Sequence, residues 1–111
     1  MLGVKDKGIL LQIIKRCKRI KEKVLNITID EFFVNEDIKE IICFNIFQIG
    51  ELSSGLSSNF TLKYNEIPWK QVIGMRNKII NGYDTINIHI VWNTAKESIT
   101  CLLEYCIDIL G

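Results

Sequence analysis

Ile9-Leu10-Leu11-Gln12-Ile13-Ile14-Lys15-Arg16-Cys17-Lys18-Arg19-Ile20-Lys21-Glu22-Lys23-Val24 decides the fold class. Apolar side chains fall at Leu10, Ile13, Ile14, Cys17, Ile20 and Val24. Steps of three and four make these one stripe along a helix, with the lysines and arginines off it. Asn26 and the β-branched run Ile27-Thr28-Ile29 end the pattern. Thr28 and Glu31 then have capping-box spacing for a short turn through Phe32 and Phe33.

The same periodicity recurs three times. A second long helix is expected from Asn35 or Asp37 towards Asn59, with Ile38, Ile41, Ile42, Ile49, Leu52 and Leu56 on one face and Phe44 and Phe47 widening it. Gly50 and Gly55 each cost such a helix about 1 kcal/mol against alanine, so a close helical neighbour is expected near Gly50. The stretch from Asn59 to Ile67 reads as a polar connection ending at Pro68, the only proline. Proline suits the first turn of a helix, where its missing N–H is no loss. A third helix carries Trp69, Val72, Ile73, Met75, Arg76, Ile79 and Ile80 and stops at Asn81-Gly82. After a turn at Asp84-Thr85 a fourth runs from about Asn87 to Leu110. Its stripe is Ile88, Val91, Trp92, Ala95, Ile99, Leu102, Leu103, Cys106 and Ile109 or Leu110. The pattern predicts an all-α, up-and-down four- to five-helix bundle over residues 1–111 as a single domain.

The net charge of +1 conceals an asymmetry. Up to Lys23 eight basic residues face only Asp6 and Glu22, a balance of +6, and the remainder sums to −5. Such a stretch either binds a polyanion or solvates the outer face of the first helix. Cys17, Cys43, Cys101 and Cys106 form no Cys-x-x-Cys pair, which disfavours zinc and a disulfide framework and points to buried small hydrophobes. No apolar run approaches the ~20 residues that span a bilayer, and no signal peptide is recognisable, so a cytoplasmic protein is expected.

Chemistry concentrates in Arg76-Asn77-Lys78-Ile79-Ile80-Asn81-Gly82-Tyr83-Asp84. The segment resembles the active-site signature of HEPN-domain ribonucleases: an arginine, four to six residues, a histidine, and a tyrosine two positions on. Arg76 and Tyr83 match; the histidine's place is held by Asn81. Gln48-Ile49-Gly50-Glu51-Leu52, Ile67-Pro68-Trp69, Gly74-Met75-Arg76-Asn77 and Val91-Trp92 extend the resemblance to the HepT branch over nearly the whole chain. That resemblance implies a homodimer with a composite cleft and RNA cleavage with no metal or other cofactor. It further implies a toxin of a type VII-like toxin–antitoxin system, partnered by an MNT-type nucleotidyltransferase that adds AMP to the tyrosine, here Tyr83.

The residue types explain the pattern. Breaking RNA at the 2′-OH needs a base, an acid and a cation on the phosphorane. Histidine, with a pKa of about 6.5, serves the proton steps. Arginine grips phosphate oxygens with a planar, permanently charged fork. Arg76 can do this, or it can be a surface arginine paired with a carboxylate. Asn81 cannot titrate near neutrality, and losing an acid–base group typically costs ~10²–10⁴ in rate. Impaired cleavage is therefore expected. Asn77 could hold Arg76 or a phosphate oxygen, and Asp84 reads as a turn cap. Tyr83 either packs on Trp92 or presents its hydroxyl for modification. His89, the only histidine, lies beyond the motif spacing and reads as a partly exposed helix-start residue. The alternative is a non-catalytic HEPN module holding nucleic acid, a nucleotide or a protein partner. Wide apolar stripes with Phe44, Phe47, Trp69 and Trp92 add a residue-level reason to expect a dimer.

Overall fold

Every member of the first stripe is buried: Leu10, Ile13, Ile14, Cys17, Ile20 and Val24 all face inward from α1 (Val4–Val24). The structure is a computed structural model and describes residues 2–82 and 88–111, without the side chains of Lys78, Ile80, Asn81 and Gly82. Among the described residues all regular structure is helical. After α1 come α2 (Ile29–Val34), α3 (Glu36–Ser54), α4 (Ser58–Lys63) and α5 (Trp69–Gly82). α6 (Ile88–Asn93) runs through one π-helical turn (Thr94–Ser98) into α7 (Ile99–Leu110), so four long helical segments dominate.

Local chemistry starts each element. Thr28 Oγ1 accepts from the Glu31 N–H while the Glu31 carboxylate accepts from Thr28, the capping box read from the sequence. Asn35 caps α3 by accepting from the Ile38 N–H. α1 packs on α3 and on α7, and α3 packs on α5. The inward face of the last segment is Val91, Ala95, Ile99, Leu102, Leu103 and Cys106. At its end Ile109 packs on the core, whereas Leu110 is 37% exposed. The π turn inserts one residue into the helical ladder. Buried Ala95 lies there, and Lys96 Nζ reaches 3.5 Å to the Val24 carbonyl at the negative end of α1.

Two expectations need correction. The second long helix does not continue to Asn59; it stops at Ser54 with Gly55 as its cap. The expected connection from Asn59 to Ile67 contains α4, whose Phe60 is buried. The cause is a tertiary contact. Asp6 on α1 accepts from the Ser57 hydroxyl at 2.6 Å and from the Ser57 N–H at 2.9 Å, and Ser57 Oγ in turn accepts from the Phe60 N–H. A fresh N-cap is thereby fixed where one long helix would have run on. Cys101 is the other correction: it is exposed, while Cys17, Cys43 and Cys106 are buried. Burial pushes the Cys43 thiol up to about 11 and that of Cys106 up to about 12, and Cys17 further still, with Cys106 beside it. These three stay protonated at neutral pH and serve as packing groups.

Phe60 also begins the path to the site. Its ring lies 4.9 Å from Tyr64 and 5.9 Å from Trp69, and the Trp69 indole donates to the Tyr64 carbonyl at 3.1 Å. Pro68 precedes α5 and its carbonyl accepts from the Val72 N–H, closing the first turn. The start of α5 is thus held by α4, and α4 by Asp6 of α1.

The hydroxyl and N–H of Ser57 hold the Asp6 carboxyl below its ordinary 3.8. A depressed carboxyl contributes stability above its unfolded pKa and loses it as pH falls through the lower folded value. Asp6→Asn is therefore expected to destabilise by about 0.5–1 kcal/mol at pH 7, as befits hydrogen bonds to a solvated carboxylate. Urea melts should show the difference from wild type closing below pH 3.8.

Candidate functional site

Gly50 lies buried in the middle of α3, where α5 crosses it. A Cβ built on Gly50 would stand 2.5 Å from the Cβ of Arg76 and 3.4 Å from its backbone. Only a hydrogen at that position lets α5 sit this close. The close neighbour expected at Gly50 is therefore Arg76 itself.

The Arg76 side chain leaves this contact partly buried, 23% exposed, and lies beside the next residue of α3. One guanidinium nitrogen donates to Glu51 Oε1 at 3.0 Å. Nε donates to Asn77 Oδ1 at 3.2 Å. The fork is thus gripped at two points, and no further acceptor meets it among the described residues. The pairing of Arg76 with a carboxylate, weighed in the sequence, is present as an ion pair with Glu51. Glu51 is about half exposed, so the pair is worth no more than about 1 kcal/mol in water. A phosphate approaching the remaining N–H groups would compete with it on favourable terms.

Of the predicted site residues, the structure brings together Arg76 and Asn77. Asn81 belongs to the last turn of α5, but its side chain, together with Tyr83 and Asp84, lies outside the described residues. The proposed packing of Tyr83 on Trp92 lies outside them too. Trp92 itself tilts against Phe32 at 5.2 Å, with Lys96 Nζ 5.5 Å from its ring centre. His89 is exposed in the first turn of α6 and meets Phe33 of α2 edge-on at 5.2 Å. Among the described residues no three His, Cys, Asp or Glu side chains converge as a metal site, and no helix is long and apolar enough to cross a membrane.

Sequence reasoning assigned no role to Glu51, although it quoted the residue in Gln48-Ile49-Gly50-Glu51-Leu52. The signal was the neighbouring glycine: a residue that admits a second helix places its own neighbour beside whatever that helix carries. An apolar cavity lies elsewhere. About 800 Å³ opens between α3, α5 and α7, lined by Ile49, Val72, Met75, Leu102 and Tyr105 among others, and among the described residues neither Arg76 nor Asn77 lines it. It exists because α5 leans on α3 while α7 leans on α1. A shallower groove of about 590 Å³ between α1 and α3 is lined by Lys15, Arg16, Lys18 and Arg19 beside Asn45.

Comparison with known proteins places the chain in a family. The family model described as "Ribonuclease HepT-like" matches residues 13–109. A Caldanaerobacter subterraneus subsp. tengcongensis protein named "Putative RNase TTE0752" is 30% identical over 101 residues, covering 91% of this chain and 90% of its own. "Putative RNase MJ0127" of Methanocaldococcus jannaschii is 30% identical over 109 residues, 95% of this chain and 90% of its own. "Probable ribonuclease HepT" of Thermococcus cleftensis is 28% identical over 96 residues, 86% and 87% of the two chains. No solved structure matches the chain.

Gly50→Ala tests the seat of Arg76. The added methyl meets a backbone-anchored Cβ, so α5 must shift, at about 1–3 kcal/mol as overpacking typically costs. Chemical denaturation should show that loss, whereas Gly55→Ala, whose Cβ would meet the end of Ile9 and the Leu52 carbonyl oxygen no closer than 3.4 Å, should lose less.

Proposed function

Because the chain belongs to the HepT-like ribonuclease family, we propose that it is the RNA-directed toxin component of a toxin–antitoxin pair, with cleavage impaired by Asn81. The observation that carries this reading is Arg76 seated on Gly50, its fork oriented by Glu51 and Asn77. A buried seat and two oriented hydrogen bonds restrict the rotamers of a long side chain before substrate arrives. That is the preorganisation a phosphate clamp requires.

Arg76 stabilises the charge on the scissile phosphate, with Glu51 displaced from the fork as the phosphate binds. Asn77 holds Nε in place. In cleavage the 2′-oxygen loses its proton and attacks phosphorus, while the 5′-oxygen leaves and gains a proton. Asn81 can orient the 2′-OH or a water, but its carboxamide neither takes up nor gives up a proton near neutral pH. The chain therefore binds RNA in a cleavage-competent arrangement and turns it over slowly. The second reading, a non-catalytic HEPN module, is favoured by the same Asn81 and keeps Arg76 as an anion-binding residue.

The active unit is a homodimer of HEPN bundles. Support comes from the open apolar cleft beside α5 and α7, and from the exposed Tyr105 and Ile107. Its partner is an MNT-type nucleotidyltransferase. That enzyme transfers AMP from ATP to the Tyr83 hydroxyl, forming a phosphodiester and releasing pyrophosphate.

Cleavage of a labelled single-stranded RNA in EDTA tests the first claim. Asn81→His is expected to raise the rate by about 10²–10⁴, the usual worth of an acid–base group, and Arg76→Ala in that background to abolish the gain. Wild type cutting as fast as Asn81→His would overturn the impairment; silence from every variant would favour the binding module. Native mass spectrometry after incubation with an MNT enzyme, ATP and Mg²⁺ reads the other two claims. The expected species is twice 12.8 kDa with AMP-sized additions that Tyr83→Phe removes. A lone monomer removes the dimer, and an unmodified mass removes the acceptor.

A further inference from the structure

A second arginine lies against the other flank of α3. Arg16 of α1 reaches across, and one guanidinium nitrogen donates to Asn45 Oδ1 at 3.2 Å. Asn45 is a polar residue only 3% exposed, and its own Nδ2 donates to the Ile41 carbonyl at 2.7 Å. A buried carboxamide is tolerated only when its hydrogen bonds are met, and here they are met by aiming Arg16. The guanidinium carbon lies 5.5 Å from the centre of the Phe44 ring, while Arg16 Nε is buried with no acceptor among the described residues. Phe44 is 54% exposed. Nothing in the Arg76 arrangement uses any of these groups.

Building on the RNA-directed reading above, we propose that Phe44 and the adjoining α1–α3 groove form a nucleotide subsite for the same strand of RNA. One base stacks on the exposed Phe44 ring, and the phosphate next to it lies among Arg16, Lys15 and Arg19. Stacking on an aromatic face beside a cationic groove is how single strands are held without sequence readout, since every base offers a π-face. The subsite and the motif are linked through α3. Phe44 and Glu51, the partner of Arg76, are seven residues apart on one helical face, about 10 Å at 1.5 Å per residue. That lies within the roughly four or more nucleotides that a single-strand site occupies. Charge separates this occupant from a second copy of the chain. Lys15, Arg16, Lys18 and Arg19 surround the groove with Glu22 as the one acid among its lining residues. Two copies meeting there would oppose like charges, whereas a polyanion is drawn in.

The test is fluorescence anisotropy of a labelled single-stranded 12-nucleotide RNA, with circular dichroism to check folding and light scattering to follow assembly. Phe44→Ala is expected to raise Kd about tenfold, within the range of one lost base stack, and to leave the salt dependence unchanged. Phe44→Trp is expected to restore binding. Lys15→Ala/Arg19→Ala should flatten the salt dependence, by about 0.7 in log–log slope for each phosphate contact removed. Phe44→Ala binding like wild type would overturn the subsite. So would an affinity loss that tracks conversion of dimer to monomer, because Phe44 would then belong to an interface between copies. Wild-type protein that binds no RNA would remove the functional reading on which the subsite rests.

Discussion

The approach of α5 to α3 at Gly50 is the constraint on which the site depends. A glycine in mid-helix costs about 1 kcal/mol against alanine. Here the missing methyl admits the Cβ of Arg76 into the space it would fill. The position of α5 along its axis follows from contacts far from the motif. Asp6 fixes Ser57, Ser57 starts α4, and Phe60 and Tyr64 hold Trp69 at the head of α5. From Trp69 to Arg76 is two helical turns, so holding one end of α5 sets what lands on Gly50. Arg76, Asn77 and Glu51 thus sit on packed helices.

α3 acts as a divider with an arginine on either flank. Glu51 orients Arg76 from α5, and Asn45 orients Arg16 from α1. The two partners suit their surroundings. Glu51 is about half exposed, where a carboxylate is cheaply hydrated and easily exchanged for phosphate. Asn45 is buried, where an unpaired charge would be costly but a satisfied carboxamide is not. The charge asymmetry of the chain takes on location through this arrangement. The lysines and arginines of the first helix both solvate α1 and, at Lys15, Arg16 and Arg19, line a groove against α3.

Much of the fold was legible because periodicity reports burial directly. The stripe of α1 is buried at every expected position, and that of the last helix at Val91, Ala95, Ile99, Leu102, Leu103 and Cys106. The Thr28–Glu31 box was legible because its partners are three residues apart. α4 was not, because the residue that fixes its cap, Asp6, is 51 positions away. Cys101 was misread for a related reason: helical spacing places it off the Cys106 face, but only the packing of α7 on α1 decides which face is inward. At the candidate site, Arg76 and Asn77 were legible as residue types, and the absence of a titrating group at Asn81 was a matter of residue identity alone. The partners Glu51 and Asn45 carried no such mark.

The sequence by itself determined the helical class and the family, because these rest on local periodicity and on which functional groups are present. Tertiary structure alone decided which side chains those groups meet. Gly50 beneath Arg76, Glu51 against its fork, Asp6 at the head of α4 and Arg16 over Phe44 are contacts between residues 25 to 51 positions apart. Hydrogen bonds and van der Waals contacts fall off within a few ångströms. Residues remote along the chain acquire such partners only once helix packing brings their elements together.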